Sequence, residues 1–116
     1  MSETIKTVIL NGKKINCNMT ALSVILSGKW KPLILWQLLE STQRFGELRR
    51  NLEGISPRIL SRELRELEQH GIISRREFPS IPPKVEYQLS ETGRKIQPAM
   101  DALCKWSLAY MEEKGE

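Results

Sequence analysis

Histidine, aspartate and cysteine are scarce in this sequence of 116 residues. It contains one histidine (His70), one aspartate (Asp101) and two cysteines (Cys17 and Cys104). A catalytic triad needs a nucleophile, a base and an orienting group, and the sequence has no nucleophile elbow, P-loop or dinucleotide-binding glycine pattern. No cysteine pair lies at the spacing of zinc ligands. We therefore expect no enzymatic activity and no metal site.

Long hydrophobic runs are also missing. The apolar runs Val24 to Leu26 and Leu33 to Trp36 are far shorter than the roughly 18 residues of a membrane span. Thr7 to Leu10 is too short for a secretory hydrophobic region. Two cysteines are too few for a disulfide scaffold, and the length suits one domain. We expect a single-domain cytoplasmic protein.

The net charge of +4 is unevenly distributed. Between Arg44 and Arg76 there are eight arginines and five glutamates, a net charge of +3, and all nine lysines lie outside this window. Arginine presents a planar fork that suits phosphates and the guanine edge, so the segregation favours a recognition surface. The alternative to a recognition surface is an ordinary solvated face whose charges form i, i+4 ion pairs. Helical periodicity has to decide between them.

The N-terminal third predicts a hairpin followed by two helices. Asn11-Gly12 is a strong type I′ turn signal between strands at residues 4–10 and 13–17, with Lys6 opposite Cys17 and Cys17 on the apolar face. Thr20 is expected to cap a short helix that Gly28 ends. Pro32 then lies in the first turn of an apolar helix that reaches about residue 40 and forms the centre of the core.

The arginine window predicts two more helices. The first covers residues 45–52, and Ser56-Pro57 begins the second, with a hydroxyl at the N-cap and proline at the first helical position. Leucines follow one side of this second helix as far as Gly71. The opposite side, at 100° per residue, collects Arg58, Ser61, Arg62, Arg65 and Gln69. Three glutamates are expected on its flanks: Glu63, Glu66 and Glu68.

The C-terminal part predicts two strands and a long helix. The strands, at residues 72–78 and 84–89, are joined by a stiff segment with three prolines. Ser90 caps the last helix, and Pro98 should kink it or delay its start. The helix carries an apolar stripe that has little to pack against in a chain of this size, which favours a partner subunit. Its members are Ile96, Ala99, Met100, Leu103, Trp106 and Tyr110.

This order of elements is that of a winged helix-turn-helix, an α+β fold that is mostly helical, with a two-stranded wing. The second helix of the motif enters the DNA major groove in such folds. We expect four of its residues to contact base edges or groups beside them, and four residues around it to contact phosphate. The base-contacting residues are Arg58, Ser61, Arg62 and Arg65, and the phosphate-contacting residues are Ser56, Arg49, Arg50 and Lys84. The alternative is a protein-interaction module that applies the same basic face to an acidic partner.

The sequence also resembles the HxlR-type, MarR-related bacterial transcriptional regulators. The resemblance rests on the runs at residues 28–35, 44–50, 54–56, 64–68, 82–87 and 89–93, in family order and spacing. It implies a domain at residues 17–115 after an N-terminal hairpin arm at residues 1–16. It further implies a homodimer, joined through terminal dimerisation segments, that binds a near-palindromic double-stranded DNA operator without a cofactor.

Some members of that family sense oxidants or electrophiles through a cysteine at the position of Cys17. Here Asn18 follows the cysteine where many members have proline. Nearby lysines at positions 6, 13 and 14 could lower the pKa of Cys17, whereas burial on the apolar face would raise it. The alternatives are a redox sensor and a buried small hydrophobe, with an oxidant or small-molecule effector left open. Cys104 is expected to serve packing.

Overall fold

The structure, a computed structural model, describes residues 6–115 as six helices and five short strands. The helices are α1 (Asn18–Ile25), α2 (Trp30–Glu40), α3 (Phe45–Asn51), α4 (Pro57–Gln69), α5 (Glu91–Arg94) and α6 (Gln97–Lys114). The strands are β1 (Val8–Leu10), β2 (Lys13–Ile15), β3 (Gln43–Arg44), β4 (Ile73–Phe78) and β5 (Lys84–Leu89). This confirms an α+β winged helix-turn-helix. No helix within residues 6–115 is long and apolar enough to cross a membrane.

The N-terminal hairpin forms with the predicted register. Val8 pairs with Ile15, and Asn11 and Gly12 both have positive φ, 52° and 74°, as a type I′ turn requires. The paired strands stop at Val8 and Ile15, so the predicted strand pair between Lys6 and Cys17 is absent from the described residues. The predicted strand residues 4 and 5 lie outside them.

Helix α1 begins earlier than predicted. Cys17 is its N-cap, in an extended conformation, and Thr20 lies within the first turn rather than capping it. Asn18 and Met19 are already helical, and the first hydrogen bond of the helix runs from the backbone N–H of Ala21 to the Cys17 carbonyl at 3.0 Å. The cap prediction at Thr20 is therefore wrong by three residues.

The core lies where α2 crosses α4. Ile34, Leu35 and Leu38 of α2 are buried against the leucine side of α4, which consists of Leu60, Leu64 and Leu67. The apolar residues of both helices recur at helical spacing, so each helix buries one continuous face. The prediction of α2 as the central core helix is confirmed.

The wing is a hairpin with an additional strand beside it. Strands β4 and β5 pair from Ile73 with Leu89 to Phe78 with Lys84, as predicted. The prediction of only two strands is incomplete, because β3 pairs with the other edge of β5. Buried Gln43 holds β3 in place: its amide donates to the Gln37 carbonyl at 2.9 Å. Two residues are too few for an alternating pattern, so the sequence could not reveal this strand.

The C-terminal segment forms two helices, α5 capped by Ser90 and then α6, where the sequence predicts one helix capped by Ser90 with a kink or a delayed start near Pro98. The Ser90 hydroxyl accepts from the Gly93 backbone N–H at 3.0 Å, and Pro98 lies in the first turn of α6. Helix α6 then extends away from the core, and from residue 101 onward every described residue is exposed. The radius of gyration is 16.1 Å, larger than the roughly 13 Å of a compact domain of this length.

Candidate nucleic-acid interface

Helices α3 and α4 form a helix-turn-helix through a tight turn. Gly54 in that turn has φ of +89°, a conformation that glycine adopts without strain. The Ser56 hydroxyl then caps α4 by accepting from the Ile59 backbone N–H at 3.1 Å, and Pro57 begins the helix. The start of α4, and with it the positions of the arginines, is thus fixed as the sequence predicts.

The two long sides of α4 differ in chemistry. The leucine side is buried, whereas Arg58, Ser61, Arg62 and Arg65 are all exposed. Within residues 6–115 none of these three arginines has a carboxylate within 4.0 Å. The guanidinium groups are therefore available to an external anion or base edge, which an ion-paired solvated face would not offer.

One flank of α4 is buried, which the sequence did not predict. Glu63 is 4% exposed and accepts from the Lys31 ammonium at 2.7 Å, and Glu66 accepts from the same ammonium at 2.5 Å. Burial alone would lower the pKa of Lys31, but the hydrogen bonds to both carboxylates and the attraction of their charges together outweigh burial and raise that pKa. The hydrogen bond from Lys31 lowers the pKa of Glu66. At 100° per residue Glu63 lies only about 60° from the direction of Leu60, a signal that could have revealed its burial.

Arginines also border the helix-turn-helix on α3 and the wing. Arg49 and Arg50 are exposed in the last turn of α3. Arg75 pairs with Glu77, and together with Arg65 it lines a cleft of about 280 Å³ between α4 and the wing. The structure thus brings the basic groups of α4 and β4 to one side of the molecule.

Lys84 is less free than the arginines of α4. Its ammonium lies 3.2 Å from the Glu86 carboxylate and 4.8 Å from the centroid of the Phe78 ring. Arg76 stacks on the same ring at 4.8 Å. A phosphate that approaches Lys84 therefore competes with an existing ion pair. Ile81, in the loop that joins the two wing strands, is fully exposed.

Cys17 lies apart from this surface, at the start of α1. It is exposed, and the predicted burial on an apolar face is wrong because the hairpin ladder stops before it. The backbone N–H of Thr20, in the first turn of α1, lowers the pKa of Cys17, as the N-terminus of a helix does for a thiolate. The lysines at positions 6, 13 and 14 do not contribute to this lowered pKa. Cys104 is also exposed, on α6.

A broad apolar surface covers α6. Exposed fractions are 56% for Leu103, 66% for Trp106 and 64% for Met111, and the rings of Trp106 and Tyr110 stack at 5.6 Å. Between α6 and α2 runs a groove of about 410 Å³ whose wall is largely apolar, lined by Leu33 and Trp36 of α2 among others. Exposed apolar side chains grouped on one surface in this way are typical of an interaction site.

Within residues 6–115 the structure groups no three His, Cys, Asp or Glu side chains that could hold a metal ion.

Comparisons with known proteins agree with this geometry. A family model described as HxlR-like helix-turn-helix matches residues 25–115. An uncharacterized HTH-type transcriptional regulator of Methanothermobacter thermautotrophicus is 45% identical over 94 residues, covering 78% of this chain and 72% of that protein. The redox regulator HypR in its oxidized form has a TM-score of 0.76 at 35% identity, covering 80% of this chain and 96% of that chain. The reduced form of the transcriptional regulator YodB from B. subtilis has a TM-score of 0.75 at 31% identity, covering 88% of this chain and 100% of that chain.

Proposed function

The chain belongs to the HxlR-like helix-turn-helix family of transcriptional regulators, and we propose that it acts as a homodimer that reads a near-palindromic DNA operator. The observation that carries the proposal is the row of exposed arginines on α4 that lack carboxylate partners within the described chain. In a winged helix-turn-helix this helix faces the major groove. Arginine binds the O6 and N7 atoms of guanine with two hydrogen bonds.

The proposal assigns base recognition and phosphate binding to different residues. Arg58, Ser61, Arg62 and Arg65 contact base edges or groups beside them. Phosphates are bound by Arg49 and Arg50 of α3, by Ser56 and by Lys84 of the wing. The Ser56 oxygen accepts a hydrogen bond within α4, so its hydroxyl hydrogen is available to a phosphate at the helix N-terminus.

Dimerisation through the terminal segments is supported by the apolar surface of α6. A two-fold dimer would cover this surface and place two copies of α4 on one face of the duplex, about one helical turn of DNA apart. Two half-sites related by the same symmetry then form a near-palindrome.

The test is a titration of duplexes selected from genomic DNA, at two salt concentrations. Arg62→Ala should cost about 1 to 3 kcal/mol on the selected duplex and relax one base position. Lys84→Ala should weaken all sequences alike, and Arg94→Ala, an exposed arginine of α5, serves as the control for lost charge. Unchanged affinity in both interface variants would refute the assignment. Absence of any salt-dependent duplex binding would instead favour a module that binds an acidic protein.

We further propose that oxidation of Cys17 modulates DNA binding. The proposal is supported by its exposure, by its lowered pKa at the start of α1, and by the similarity to the redox regulator HypR. Operator affinity should change on mild oxidation in the parent and in Cys104→Ser, but not in Cys17→Ser. An equal response in Cys17→Ser would leave Cys17 without this role.

A further inference from the structure

Lys31 is a buried cation at the start of α2, far along the chain from the helix that it contacts. Its side chain is 3% exposed, and its ammonium reaches two carboxylates of α4, Glu63 at 2.7 Å and Glu66 at 2.5 Å. Gly28 brings the preceding turn against the same place, since a Cβ there would lie 3.6 Å from Glu63 Oε1. Residues of the α1–α2 turn are therefore packed around an ionic contact with α4.

This contact restrains α4 in a way that the leucine core does not. The hydrophobic effect that holds α2 against α4 is non-directional, whereas a charge-assisted hydrogen bond has a defined direction. Glu63 and Glu66 are three residues apart, on neighbouring turns of the same flank, so one ammonium held by both fixes the rotation and axial position of the helix. A side-chain end about 5 to 6 Å from the axis moves about 1 Å when a helix rotates by about 10°. Such a shift is larger than a hydrogen bond to a base edge tolerates.

The contact also decides the partner of Glu66. Arg62 lies four residues before Glu66, the spacing at which opposite charges on a helix pair. In the structure Glu66 bonds to Lys31 instead, and Arg62 has no carboxylate within 4.0 Å among the described residues. The ammonium of Lys31 thus takes the hydrogen bond of Glu66 that Arg62 could otherwise form, although the charge of Arg62 still contributes to the lowered pKa of Glu66.

We propose that Lys31 is a positioning residue for base readout, which holds two glutamates of α4 so that the arginines of this helix meet the groove in one orientation. The proposal rests on the proposed function of operator recognition. It assigns to Lys31 an effect on sequence discrimination that is separate from general affinity for DNA.

The test measures the ratio of affinities for a duplex selected with the parent protein and a scrambled duplex of equal length. Two variants change net charge in opposite directions: Lys31→Met removes a positive charge, and Glu66→Gln removes a negative one. Electrostatics alone predicts that Glu66→Gln binds both duplexes more tightly. If Lys31 positions α4, the ratio should instead fall in both variants. We expect a fall of about tenfold in Lys31→Met, which is the discrimination between bases that one bidentate arginine provides.

Two matched controls separate positioning from other effects. Glu68→Gln removes an exposed carboxylate of α4 that does not contact Lys31, and its ratio should stay within about twofold of the parent. Leu38→Ala truncates a side chain of α2 that is as buried as Lys31, so it measures how much a loss of stability alone changes the ratio. Lys31→Arg, which keeps a cation with several donors, should restore part of the ratio.

The outcomes are distinct. A ratio unchanged in Glu66→Gln, or a fall in Lys31→Met no larger than in Leu38→Ala, would overturn the positioning role while leaving the proposed function intact. If the parent selects no duplex at all, the proposed function and this inference both fail. Should Lys31→Met not fold, Glu66→Gln still decides, because this glutamate side chain is 41% exposed and its loss is tolerable.

Discussion

Trp106→Ala should separate the proposed dimer into monomers. Trp106 is 66% exposed in the single chain and stacks on Tyr110. An aromatic side chain buries about 150 to 250 Å², so about 130 Å² of Trp106 is left for a partner to cover. At about 25 cal/mol per Å² this area corresponds to at most about 3 kcal/mol for each protomer.

Association also has costs, since side chains lose freedom at an interface, so we expect about half of that value to be realised. A two-fold dimer loses the contact twice, which gives about 3 kcal/mol in total. The dimer dissociation constant should therefore rise roughly 150-fold.

Sedimentation velocity across a range of protein concentrations measures this constant. Ile81→Ala is a suitable control, because it truncates a fully exposed apolar residue on the wing, away from α6. It should leave the dimer constant unchanged, and circular dichroism should show both variants folded. A parent protein that is monomeric at micromolar concentration, or a Trp106→Ala constant within threefold of the parent, would refute the reasoning.

Three further predictions concern stability. Gly93→Ala places a Cβ 2.1 Å from the Ile72 carbonyl oxygen, so urea denaturation should show a loss of more than about 2 kcal/mol; a neutral result would mean that this backbone contact adjusts freely. Ser56→Ala removes the α4 cap and should cost about 1 kcal/mol by the same measurement, and no loss would exclude the cap as a stabilising contact. Glu66 has a lowered pKa, so its pairing with Lys31 stabilises the fold above the ordinary pKa of the carboxyl group and ceases to do so as pH falls through the folded value. The stability difference between the parent and Glu66→Gln should therefore be present at neutral pH and shrink in acid, and a difference independent of pH would contradict this origin.

The sequence predicts α4 well because each signal there is local. The hydroxyl of Ser56 and the ring of Pro57 determine where the helix begins, and helical spacing then determines which side is buried. The hairpin turn at Asn11-Gly12 is predictable for the same reason. Neither depends on knowing what packs nearby.

Features that depend on a distant part of the chain leave no local signal in the sequence. The pattern puts Glu63 on a flank of α4, but its burial requires Lys31, which lies 32 residues earlier in the chain. Strand β3 exists only because β5 offers it an edge. Alternation puts Cys17 on an apolar face only if the strand pairing continues to residue 17, and periodicity does not show that the pairing ends at Ile15.

The ion pair between Lys31 and the glutamates of α4 is better explained by helix orientation than by stability. Taking a lysine and a carboxylate out of water costs several kcal/mol per ion, and apolar residues of similar volume often stabilise a fold at least as well. The contribution of the Lys31–Glu63 pair to stability alone therefore does not account for its presence. What an ionic contact adds over apolar packing is direction, because two hydrogen bonds from one ammonium require one arrangement of α2 and α4. A helix that must present arginines to base edges needs a fixed orientation more than it needs additional stability.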